Sequence, residues 1–146
     1  MPLRQITTID KIAVEIIEIQ EYLDTAYSDD LNEVTLMGIK ISTLMSRTGK
    51  LLADSKFFQD VAQNKVYLEE LKNRPNIAPS ILKEIAKNAC QLENYLVNEL
   101  DRLNSSCVHK LDFIRTLISK AVKEMDASAY WAKKSNNNNN DLNKWK

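Results

Sequence analysis

The stretch 81-ILKEIAKNACQLENYLVNELDRLNSSCVHKLDFIRTLISKAVKEM-125 decides how this chain folds. Apolar side chains recur in it at Ile81, Ile85, Ala89, Leu92, Leu96, Leu100, Leu103, Cys107, Leu111, Ile114, Ile118, Ala121 and Met125. Steps of three and four place them on one face of an amphipathic helix. From Ile85 to Met125 their mean spacing is about 3.64 residues, nearer a straight helix than the 3.5-residue seam of a coiled coil. The spacing predicts one helix over 79–126, opened by Pro79, where a missing N–H is harmless. Its weakest point by propensity is Asn104–Ser106.

Working outward, 73-NRPNIAPS-80 is the one clear turn. Before it, Val34, Met37, Ile41, Met45, Thr48, Leu52, Phe58, Ala62 and Leu68 keep a helical period without a strong breaker. That predicts a second long helix over 31–73, about 60 Å in length. Asp30, with Glu33 three residues on, reads as a capping box at its start. Gly49 lies inside, which implies either a close helix approach or a bend. Earlier still, Ile9, Ile12, Ile16, Ile19, Leu23 and Ala26 predict a helix over 8–27, capped by Thr7 or Thr8. Its outer face is acidic: residues 7 to 30 hold seven carboxylates and a single lysine, Lys11. Two long helices joined by a short turn must run antiparallel.

Composition agrees. The 146 residues include only two glycines and three prolines, too few turn formers for a sheet protein of this length. With 44% apolar residues there is enough material for a core. We therefore expect an all-α domain over 1–134: two long antiparallel helices and a shorter N-terminal one. So thin a bundle has a poor ratio of volume to surface, and we expect it to be completed by homo-oligomerisation. Residues 135–146, with an Asn run and Trp145, read as a disordered polar tail.

Twenty basic and twenty acidic residues cancel, so no global field draws the chain to nucleic acid or an anionic membrane. No stretch approaches the roughly 20 apolar residues of a membrane span. The start lacks the pattern of a secretory signal, and two cysteines without one fit free thiols in a cytoplasm.

Chemistry-bearing residues are few. Cys107 and His109, two apart on a helix, point about 200° from each other and cannot share a metal. Cys107 falls on the apolar stripe and reads as core. Cys90 lies about 25 Å from Cys107 along one helix, beyond the ~7 Å that a disulfide allows unless the helix breaks. The lone histidine leaves no zinc site or Cys/His nucleophile. A phosphate loop is absent too, because the positions around Gly49-Lys50 that it needs hold Leu44 and Leu51. Arg47, Lys50 and Asp54 share a helical face and read as paired surface charges. We expect no cofactor and no catalytic residues.

The strongest functional signal is basic. Residues 102 to 123 hold five Lys or Arg and one acid, Asp112. Arg102, His109, Thr116, Lys120 and Lys123 fall in an arc of roughly 60° opposite the apolar stripe. Arg115 sits at the flank, where partial burial is expected. The stripe suits phosphates, or it pairs with the acidic first helix.

Two stretches, 41-ISTLMSRTGKLLADSKFFQDVA-62 and 102-RLNSSCVHKLDFIRTLISKAVKEM-125, resemble small, mostly uncharacterised helical proteins encoded by bacteriophages and prophages of gut bacteria. The resemblance implies a phage gene product acting in the host cytoplasm and carries over no catalytic residue. Three functions fit. The first is a non-catalytic protein that holds a phage or host protein through a helical surface. The second is a nucleic-acid-binding accessory of phage replication or recombination using the basic stripe. The third is a sponge for a phosphate-containing immune signal of the host at an oligomer interface, with Arg115 or Arg47 supplied by neighbouring chains.

Overall fold

A computed structural model describes residues 5–142, with side chains through residue 135. The described chain is all-helical, in four helices rather than three: α1 (Ile9–Leu23), α2 (Leu31–Asn73), α3 (Pro79–Ala89) and α4 (Gln91–Leu142). Among the described residues, no helix is long and apolar enough to cross a membrane.

The bounds expected for α2 hold. Asp30 caps it, its carboxylate accepting from the N–H groups of Asn32 at 2.7 Å and Glu33 at 3.3 Å. The capping box is modified: Glu33 reaches back to the Ser28 hydroxyl, which itself accepts from the Asp30 N–H at 3.1 Å. At the far end Arg74, before Pro75, leaves helical geometry with φ −138° and ψ 64°.

The helix expected over 79–126 is interrupted once, at Cys90, whose φ of −98° and ψ of 54° break the ladder. Asn104–Ser106 stays helical. The break is stitched by Asn94. Its side-chain amide donates to the Lys87 carbonyl at 2.7 Å, and its oxygen accepts from Gln59 of α2 at 2.7 Å. One irregular residue resets the helical phase. Before it Leu82 and Ala86 are buried, as is Cys90 itself, while Ile81 and Ala89 of the expected stripe, and Leu92 just after the break, face out. After it the stripe holds: Leu96, Leu100, Leu103, Cys107, Leu111 and Ile114 are all buried. The buried side chains from Leu96 to Ile114 keep a mean spacing of about 3.6, so the expected period holds on the far side of the break. Within the long helices the buried repeat is seven, as in Val34, Ile41, Thr48 and Ser55 on α2 and Leu100, Cys107 and Ile114 on α4. Seven is the period of a supercoiled pair.

Register follows from named contacts. Gly38 meets Ile114, Thr48 meets Asn104 and Gln59 meets Asn94, so α2 and α4 run antiparallel. The close approach is at Gly38, where an added Cβ would lie 3.1 Å from Ile114 Cγ2. Gly49, where either such an approach or a bend was expected, faces solvent inside an uninterrupted helix.

Helix α1 lies in the groove between these two, antiparallel to α2 and parallel to α4. Ile12, Ile16, Ile19 and Leu23 fill the core. It is shorter than 8–27, because Lys110 of α4 takes over its C-terminal carbonyls, donating to those of Leu23 and Thr25. Ala26 is accordingly exposed. Neither Thr7 nor Thr8 caps the helix through its side chain.

Helix α4 outruns its partner. With Gly38 opposite Ile114, the first residue of α2 comes level with about Ala121. The segment from Val122 to Leu142 therefore continues beyond the bundle as an arm of about 31 Å. Helical backbone thus runs past residue 126 and through 135–142, where a disordered tail was expected; residues 143–146 and Trp145 lie outside the described residues.

Candidate functional site

Arg47 and Lys50 are drawn into holding α1 in place. The Arg47 guanidinium grips both carboxylate oxygens of Glu15, with Nε to Oε2 at 2.6 Å. That hydrogen bond holds the Glu15 carboxyl below its usual range and raises the guanidinium. Lys50 donates to the Gln5 carbonyl at 3.1 Å, to the Thr7 hydroxyl at 3.2 Å and to Asp54. Asp54 also accepts from the Thr7 N–H at 2.9 Å. Lys50 and Asp54 pair as expected, but beneath the segment that leads into α1 rather than on the surface: their side chains are 11% and 12% exposed. Burial pushes the Asp54 carboxyl up, yet Lys50 and Thr7 together leave it below its ordinary value. Both cations are committed to partners within the chain.

The basic stripe divides in two. Arg102 and His109 lie beside α1, around an open depression of about 450 Å³ that Lys110 and Asp24 also line. Arg102 donates to Glu99 of its own helix at 2.7 Å and to the Gln20 amide oxygen of α1 at 2.8 Å. The acidic face of α1 is therefore answered mainly from α2, through Glu15 and Arg47, and α4 supplies one neutral contact and the Lys110 cap. Lys120 stands at the root of the arm and Lys123 on it, Lys120 reaching Glu124 at 3.9 Å. Arg115, expected half-buried at the flank, has a side chain 73% exposed and pairs with Asp112 at 2.7 Å. The stripe is thus a set of separate basic groups, three of them facing a carboxylate three or four residues away.

Cys90 and Cys107 are buried free thiols, and burial pushes both thiol pKa values up. Cys107 is core, as its place on the stripe implies. Among the described residues no group of three or more His, Cys, Asp or Glu side chains is placed to hold a metal.

Sequence reasoning passed over an aromatic pair. Tyr130 and Trp131, each 62% exposed on the arm, sit edge to face with centroids 5.7 Å apart. Lys134 stands over the indole at 5.2 Å. The signal was there to read, since adjacent large aromatics off an apolar stripe have no core to enter. Lys110 was missed as well. Burial lowers its ammonium pKa, and it caps α1 while standing 5.0 Å from the Tyr27 ring. No known protein-family model, curated protein or solved structure matches the chain.

Proposed function

We propose that the protein is a non-catalytic interaction module, assembled as a homo-oligomer, that holds another protein chain against its helical surface. The observation that carries this is the Tyr130–Trp131 pair with Lys134 at its edge, held in solvent on the α4 arm. Tyrosine and tryptophan dominate the energetics of protein interfaces, because they bury large area at little entropic loss. The pair lies on the side of the arm away from its apolar stripe, so it is not spare core. Resemblance to phage-encoded helical proteins supplies the setting: a phage or host protein as partner, in the host cytoplasm.

Native mass spectrometry of protein purified from infected cells tests this. The expected result is one protein retained at fixed stoichiometry, lost in Tyr130→Ala/Trp131→Ala and rebound from purified components. Retained nucleotides would favour the sponge, and retained DNA or RNA the replication accessory; either would overturn the proposal.

A further inference from the structure

The basic arc that begins at Arg102 runs on along the arm and gains aromatic residues there. At about 100° per residue, Lys120, Lys123, Ala127, Tyr130, Trp131 and Lys134 of α4 fall within an arc of roughly 100°. All six are exposed, and they face away from the buried Leu100, Cys107 and Ile114. Between residues 116 and 135 no carboxylate lies inside that arc, and Glu124 only borders it. Lys120 reaches Glu124 at 3.9 Å, whereas Lys123 and Lys134 are in no ion pair among the described residues. Lys134 stands instead over the Trp131 indole, 5.2 Å from its centroid. Just before the aromatic pair a shallow hollow of about 380 Å³ opens beside Ala127, rimmed by Ser119, Lys120, Lys123 and Glu124.

Deepening the interaction module proposed above, and resting on it, we infer that its partner meets this face with an acidic helix. That helix bears two carboxylates about three turns apart and an apolar side chain between them. Charge gives the sign: two ammonium groups on one face lack a counter-charge within the chain, and a partner that covers them must supply it. Spacing gives the form. Lys123 and Lys134 lie eleven residues apart, about 16 Å along the axis, which is three turns of a second helix laid alongside. Ala127 and its hollow fall between the two lysines, and the aromatic pair flanks it, so the centre of the contact is apolar and its rim charged. Two features favour protein over nucleic acid. The rings meet edge to face, at 76°, and Lys134 covers the indole, so they offer no parallel platforms to successive bases. Glu124 at the border opposes a phosphate backbone.

A display library of random peptides, panned against the full chain at near-physiological salt, tests this without presuming a partner. Peptides of about 16 residues are long enough for three helical turns. Those recovered should be rich in Asp and Glu. They should shift the emission of Trp131 in a Trp145→Phe background, where it is the only indole. Lys123→Glu/Lys134→Glu should weaken them by about tenfold or more, and panning against that variant should return basic peptides instead. Far-ultraviolet dichroism should not change, because both positions are exposed. Acidic peptides that bind the charge-reversed variant equally well would overturn the inference. Peptides that need Tyr130 and Trp131 but carry no acidic excess would overturn it too, and leave the interaction module standing. A library that returns nothing dependent on the aromatic pair would overturn both. Oligothymidine or phosphatidylserine vesicles that shift Trp131 emission in the same salt, and fail to in Lys123→Glu/Lys134→Glu, would assign the face to phosphates instead.

Discussion

A Cβ added at Gly49 would meet nothing nearer than Asn104 Nδ2 at 4.0 Å, while one added at Gly38 would press on Ile114 Cγ2 at 3.1 Å. Gly49→Ala should therefore raise stability by about 1 kcal/mol, through helix propensity alone. Gly38→Ala should lower it by about 1 kcal/mol, since the tightly packed Ile114 has little room to yield. Chemical denaturation of the two variants checks the pair, and equal gains would mean that α2 and α4 do not approach at Gly38. Acid stability also belongs at this scale. Asp54 and Glu15 titrate below their ordinary values in the folded chain. Their contribution is complete above the unfolded carboxylate pKa values of about 4. It drains away as pH falls through the lower folded values. Denaturation midpoints should stay level from neutrality to about pH 5 and drop below about pH 4, less steeply in Asp54→Asn. A midpoint already declining near pH 6 would contradict this.

At the scale of the helix, Cys90 decides which side chains enter the core. Leu82 is wholly buried and Ile81 is 53% exposed, the reverse of what an unbroken stripe requires. Leu82→Ala should cost about 2–4 kcal/mol, and Ile81→Ala within about 0.5 kcal/mol. A larger loss at Ile81 would restore the single helix. The sequence made the helical type of every element readable, though not the division of the last into α3 and α4, because periodicity and caps are local: Asp30 opens α2, Pro79 opens α3, and Leu96 to Ile114 line one face. It hid the phase slip, since Ile81, Ile85, Ala89 and Leu92 form a credible stripe of their own. Only packing against α2, with Gln59 holding Asn94, selects Leu82 and Ala86 instead. The length of α1 was hidden for a similar reason, as Lys110 caps it from 87 residues away.

For the whole molecule the open question was whether its basic groups act together. Wheel geometry correctly placed Arg102, His109, Lys120 and Lys123 along one face of α4. It could not show that α1 flanks the first two while Lys123 rides on the arm; Glu99 and Glu124, three and four residues from their bases, were readable from the same wheel. That Tyr130 and Trp131 lie off the apolar stripe was readable locally, but not that they stand beyond the bundle, which depends on register between α2 and α4. A chain of zero formal charge whose bases are partly matched in place presents little field to a phosphate backbone. Consider the triple variant Arg102→Ala/Lys120→Ala/Lys123→Ala. If these residues neutralised phosphates, it would weaken DNA or RNA binding across all sequences. The salt dependence would flatten by about two to three units of slope, close to one per contact. If instead Arg102 serves to seat α1 against Glu99 and Gln20, the variant should lose only about 0.2–1 kcal/mol per exposed pair. We expect the second outcome: a small drop in melting temperature, and no electrophoretic shift of nucleic acid by the wild type at near-physiological salt. A tight wild-type shift there, relieved in the triple variant, would reassign α4 from protein contact to nucleic-acid contact.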